Sequence, residues 1–188
     1  METKFFSVDV MGKPKPGTFK ARVCTFGQVD KGGDVVHRGA FAASLTKRRA
    51  ANRAWPVIFD HDGSDPLMVV GRVSPHDSQE DDIGLVVTGT LNLDEERGRK
   101  VHEELKRGTL EWSFGCLVQK AQPRQQGGRD LLVLDLFEVS PTIIGKGDTE
   151  TLYVAHADRA RPGSLSVDEL LAPYRARLAV WMARRGHA

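Results

Sequence analysis

The chain is poor in the features that mark several protein classes. Only two of its 188 residues are cysteine, Cys24 and Cys116. That is too few for a disulfide framework, and a reducing cytosolic compartment is the simplest expectation. No apolar run approaches the roughly 20 residues that span a bilayer. Residues 1–9 hold no apolar stretch of signal-peptide length, and lipidation signals are missing at both ends, so neither export nor anchoring is expected. No charge of one sign dominates: Lys+Arg 27 against Asp+Glu 25 leave +2. A strongly electrostatic nucleic-acid binder is usually far more basic. Aromatic residues make up 7% and do not interleave with basic ones on a strand face, so a base-stacking platform is poorly supported. Gly27, Gly32 and Gly33 lack the Lys-Ser/Thr ending of a phosphate loop. The cluster Asp60, His61 and Asp62, with His76 and Asp77, has no second Cys/His pair at zinc spacing. Neither metal nor cofactor is therefore expected.

What remains is an ordinary globule, 40% hydrophobic and 28% charged, large enough for one real core. Residues 18–26 alternate, with Phe19, Ala21 and Val23 on one parity, which predicts a strand. A glycine-rich loop over 27–39 carries Asp30, Asp34 and His37, and a short helix is expected around 40–53, with Phe41 and Leu45 four apart. Strands follow at 55–59, 68–74 and 83–93. Residues 94–107 read as a helix with Asp94 as N-cap, Val101 and Leu105 on one face, and Gly108 as terminator. Two longer strands, 110–121 and 130–140, flank a polar turn, and a last strand is expected at 151–156. Few helices separate these strands, which argues against a doubly wound parallel sheet. The expected fold is α+β, mainly β: an antiparallel sheet or barrel with helices around it.

The end of the chain is different. Residues 157–163 read as a linker. Ser166 and Glu169 form a capping box, and Val167, Leu170, Leu171, Tyr174, Leu178, Trp181 and Met182 recur at helical spacing. Six arginines from Arg159 onward face only Asp168 and Glu169. This amphipathic helix either packs on its own domain, or docks on a partner, or is a removable tail. The expected division is a barrel domain over 1–156 and a tail over 157–188.

Three residues stand where chemistry is possible. His61 closes an apolar strand and opens a turn, a position both held and accessible; it could equally be a turn histidine bonded to Asp60 or Asp62. Ser113 lies beside Gly115 on the strand face opposite Trp112, Phe114, Cys116 and Val118. There a small hydroxyl next to a glycine leaves room for something to approach the backbone; a strand serine can also be merely structural. Glu138 shares parity with Leu132, Leu134 and Leu136. If buried there it needs a partner, and a histidine is a natural one; the alternative is a rim glutamate in water. The other five histidines read as surface residues. Cys116 falls with Trp112 and Phe114, so a packed thiol is expected rather than a nucleophile.

Taken in order, these residues resemble the tailed-phage prohead (capsid maturation) serine proteases. The matching pieces are Phe26-Gly27-Gln28-Val29-Asp30, Gly33-Asp34-Val35-Val36, Gly39-Ala40-Phe41, Phe59-Asp60-His61-Asp62, Gly71, Gly84-Leu85, Trp112-Ser113-Phe114-Gly115 and Leu136-Phe137-Glu138-Val139-Ser140. The resemblance spans roughly residues 19–154. It implies a barrel wrapped by helices, similar to the herpesvirus assembly proteases. It implies a serine endopeptidase that cleaves scaffold and major capsid protein segments, and its own tail in some cases, inside the prohead within the host cytoplasm. By position, Ser113 and His61 match the family serine and histidine, and Glu138 an acidic position taken as the third member. Backbone amides over 144–147, with Lys146 as charge support, are the candidate oxyanion donors. Partners would be the capsid and scaffold substrates, without specific nucleic acid or membrane; the herpesvirus analogy allows a homo-oligomer. The competing reading is a non-enzymatic scaffold or capsid-binding module on the same fold, with the tail helix as its docking element.

Overall fold

In a computed structural model of the chain, residues 15–143 are described together with the backbone of the strand Glu150–Val154. The expected linker and C-terminal helix over 157–188, and residues 144–147, lie outside the described residues. Among the described residues, eight strands and two α-helices follow one another as β1 (Thr18–Thr25), β2 (Val35–Val36), α1 (Ala42–Ala50), β3 (Trp55–Ile58), β4 (Val69–Glu80), β5 (Gly84–Leu91), α2 (Glu96–Arg107), β6 (Glu111–Pro123), β7 (Arg129–Thr142) and β8 (Glu150–Val154). The sheet runs β2-β7-β3-β4-β5-β1-β8, and β6 lies on the other edge of β7. It curls until β6 and β8 approach each other, so the fold is mainly β with a nearly closed, barrel-like sheet. Among the described residues no helix is long and apolar enough to cross a membrane.

The expected antiparallel pairing needs one correction. β2 and β3 both join β7 in parallel, at Val35↔Asp130, Val36↔Leu131 and Val57↔Val139. A parallel neighbour needs a long connection, and here the intervening strands and α2 supply it. The consequence is local: the turn that leaves β3 lies over the end of β7.

The barrel is filled from alternating strand positions. Phe19 and Trp112 stack across it with ring centroids 4.6 Å apart. Trp55 is fully buried, and its indole N–H donates to the Leu136 carbonyl at 2.8 Å, so the large ring leaves no polar atom unmet. Phe41 meets Phe114 edge to face at 5.3 Å. α2 buries Val101 and Leu105 as expected, and Gly108 ends it with φ 70°, a left-handed conformation that suits glycine. Two expectations fail on this helix. Glu95, not Asp94, is the N-cap and makes no side-chain cap; instead Arg99 reaches back to the carbonyls of Leu93 and Asp94. His102 is fully buried rather than on the surface.

α1 is fastened to β7 through a buried serine. Ser44 accepts the Leu136 N–H at 3.0 Å and donates to Asp135 at 3.0 Å. The Lys47 ammonium also bonds Asp135 at 3.0 Å and, with the Ser44 hydroxyl, holds that carboxyl below the usual range. A depressed carboxyl stabilises the fold above its ordinary titration range and loses that contribution as pH falls through its folded value. Ser44→Ala would strand a buried N–H, so a loss of about 1–3 kcal/mol is expected. Urea unfolding measures it; a change under about 0.5 kcal/mol, the size of a plain surface substitution, would contradict the relay.

Candidate active site

The side chains of His61, Ser113 and Glu138 meet at one end of the barrel, although 52 and 77 residues of chain separate the bonded partners. β6 and β7 form an antiparallel pair in which Ser113 faces Ser140 and Gly115 faces Glu138. Directly opposite residues share a sheet face. Ser113, Gly115, Glu138 and Ser140 therefore occupy one face at the start of β6 and the end of β7.

A bulge makes this face polar. Gly115 pairs with Glu138, but Cys116 pairs with Leu136, so Phe137 is an extra residue in β7. The extra residue reverses which parity points into the barrel. Before it, Leu134 and Leu136 are buried in the core; after it, Val139 is. Glu138 is buried, at 2% exposure, but on the Ser113 face and not in line with the leucines, which corrects the expected alignment.

His61 arrives from β3. Asp60 and His61 have φ of 54° and 59°, two left-handed non-glycine residues in succession. Each such residue costs on the order of 1 kcal/mol or more, and the pair turns the chain sharply after Phe59, which is itself buried in the core. The imidazole then spans the gap. Its Nδ1–H donates to Glu138 Oε1 at 2.6 Å. The Ser113 hydroxyl donates to its Nε2 at 2.7 Å. A carboxylate only accepts, so it fixes the tautomer: the proton sits on Nδ1 and a lone pair on Nε2. The second oxygen of Glu138 accepts from the Ser140 hydroxyl.

Burial is uneven along this chain. The Glu138 side chain is 3% exposed and the His61 side chain 40%. An anion held in the interior thus backs an imidazole that reaches the surface. Beside Ser113 lies a cleft of about 100 Å³ whose lining mixes apolar residues, Val29, Val36 and Phe114, with polar ones, Gln28, Asp30 and Lys31. The loop after β1 that supplies part of it is stiffened from within. Asp30 accepts the Gly32 and Asp34 N–H groups at 2.7 and 2.9 Å, and Arg129 of β7 pairs with Asp34. His37, from the same loop, bonds Asp130 at 2.9 Å. Asp30, Asp34 and His37 are thus engaged in holding this loop. Its role as a wall was not visible in the sequence, because Val29 and Val36 belong to no periodic pattern.

Cys24 lines the cleft, but neither cysteine takes part in the Ser113–His61–Glu138 hydrogen-bond chain. Burial, followed by the proximity of Cys116, pushes the Cys24 thiol up to about 12, well away from a reactive thiolate. Cys116 is half-buried against the core. Residues 144–147, the expected oxyanion donors, lie outside the described residues, and among those described no group of acidic, cysteine or histidine side chains is arranged to hold a metal ion.

An acceptor nitrogen at hydrogen-bond distance from a serine hydroxyl, with a carboxylate behind the ring, is the arrangement that activates an alcohol as a nucleophile. In a comparison with protein families, the model described as caudovirus prohead serine protease matches residues 7–156. No curated protein matches the chain.

Proposed function

The chain belongs to the caudovirus prohead serine protease family, and from that premise we propose that Ser113 is its nucleophile, His61 its general base and acid, and Glu138 the group that orients and stabilises the imidazolium. The family makes the protein a serine peptidase of capsid maturation. The observation that carries the residue assignment is the unbroken hydrogen-bond chain Ser113–His61–Glu138.

The chemistry follows from that chain. As Ser113 Oγ attacks a peptide carbonyl carbon, its proton passes to His61 Nε2, and the Nδ1–H···Glu138 bond becomes an ion pair in a largely buried setting. The tetrahedral oxyanion collapses, the C–N bond breaks, and the departing amine takes the proton from Nε2. Water then repeats the sequence on the acyl-serine: it yields its proton to Nε2, forms the new C–O bond, and the proton returns to Ser113 as the ester C–O bond breaks. The substrates are segments of the major capsid protein and the scaffold, with the chain's own tail a further target inside the assembling shell. The cleft beside Ser113 takes a side chain next to the scissile bond. The barrel over 1–156 acts as the protease domain, of the kind found in herpesvirus assembly proteases, and 157–188 as an appended tail.

An alkyl fluorophosphonate probe tests the assignment without a known substrate. The expected product is a single covalent adduct, located by mass spectrometry on Ser113 and lost in His61→Ala. An adduct on a different serine, or labelling untouched by His61→Ala, would overturn it.

A further inference from the structure

We propose that Ser140 and Thr142 are positioning residues that hold the imidazole from its two ends; this rests on the reading of Ser113, His61 and Glu138 as the catalytic set. Residues 138, 140 and 142 are alternate positions of β7, beyond the bulge, and so share one face. Each carries a polar side chain, and each is at least 97% buried, at 2%, 0% and 3% exposure. Buried hydroxyls in succession at the end of a core strand are unfavourable unless each has a task.

The tasks are separate. Ser140 lies directly across from Ser113, and its hydroxyl donates to Glu138 Oε2. With that oxygen occupied, the carboxylate cannot rotate, and Oε1 stays aimed at His61 Nδ1. Thr142 works on the backbone side. Its hydroxyl donates to Asp60 Oδ1 at 2.6 Å. Asp60 and His61 are the two left-handed residues that turn the chain after β3. The parallel Val57↔Val139 pairing brings that turn alongside the end of β7. Tying Asp60 to Thr142 keeps the turn from relaxing to ordinary φ, which would swing the ring off Ser113. One strand face therefore fixes both the ring, through Glu138, and its backbone, through Asp60.

The test is saturation kinetics of fluorophosphonate labelling at Ser113, which separates the maximal rate from probe binding. Thr142→Val, which replaces the hydroxyl with a methyl of similar size, is expected to lower the maximal rate about 10- to 100-fold, the scale of a small displacement of a reacting group, with the half-saturating probe concentration unchanged. Thr142→Ser restores most of the rate. Ser140→Ala gives a loss of the same kind. Should Thr142→Val fold poorly, Asp60→Ala removes the acceptor from the half-buried side of the contact and is expected to reproduce the loss. Where both variants fold, the double variant loses no more than either alone. A purely structural hydroxyl would lower the urea midpoint yet leave the folded protein's labelling rate at the wild-type value. That result, with His61→Ala still unlabelled, would overturn the positioning roles and leave the catalytic assignment intact. Wild-type labelling in His61→Ala would instead sink the assignment beneath them.

Discussion

Ser113→Ala, His61→Ala and the double variant are expected to share one residual rate of peptide cleavage, on the order of a millionth of wild type, as members of one proton-transfer unit do. Without the hydroxyl there is nothing for the base to deprotonate, and without the imidazole the alcohol is a poor nucleophile. The second substitution therefore has almost nothing left to remove. Stability should move little. Ser113→Ala deletes one oxygen at a position 7% exposed, and the nitrogen it leaves unpaired belongs to a side chain that is 40% exposed and can turn to water. The measurement is mass spectrometry of a co-expressed capsid precursor, with the urea midpoint of each variant alongside. Losses that multiply in the double variant would mean that serine and histidine act independently. Unchanged processing by Ser113→Ala would show that Ser113 is not the nucleophile.

How much of this site is written in the sequence depends on whether a residue's position follows from local periodicity. Ser113 was legible: its neighbours Trp112 and Phe114 set a strand parity, and Gly115 marked an open face. His61 was legible as a strand-end residue, but its conformation was not. Two left-handed residues at Asp60 and His61 carry no glycine or asparagine signal, and the contact that accompanies them, Thr142 on Asp60, comes from 82 residues away. Glu138 was legible as buried but not as facing Ser113, because the bulge at Phe137 is a property of the pairing with β6. Strict alternation through Leu132, Leu134 and Leu136 puts Glu138 in the core. His102 is the opposite case, since a local signal existed. Gly98, Val101, His102 and Leu105 fall at i, i+3, i+4 and i+7, one broad helix face, and all four are buried. The charges elsewhere on that helix conceal the pattern.

Gly115→Ala is expected to lower the cleavage rate by two to four orders of magnitude, approaching the roughly 10⁴-fold loss that follows when the orienting acid of such a triad becomes an amide. The reason is space on one strand face. Gly115 lies directly across from Glu138, and a Cβ built there would stand 2.3 Å from Glu138 Oε1 and 2.5 Å from the Phe137 ring. Phe137 is 46% exposed and can swing outward. Glu138 cannot yield so cheaply: it is buried, and the atom in conflict is the oxygen that accepts from His61 Nδ1. The carboxylate must either move away from the imidazole or push it off Ser113. Each outcome disables the base while leaving nucleophile, base and acid all present in the sequence. Glycine is thus required here by the closeness of a working side chain and not by backbone conformation, since Gly115 is not among the glycines with positive φ. The decisive comparison sets Gly115→Ala against Glu138→Gln, with cleavage rate and urea midpoint measured for both. If the methyl acts through Glu138, the double variant is no slower than the slower single. Near wild-type cleavage by a folded Gly115→Ala protein would show that the carboxylate can shift and still hold the imidazole, and would overturn the steric requirement for glycine at 115.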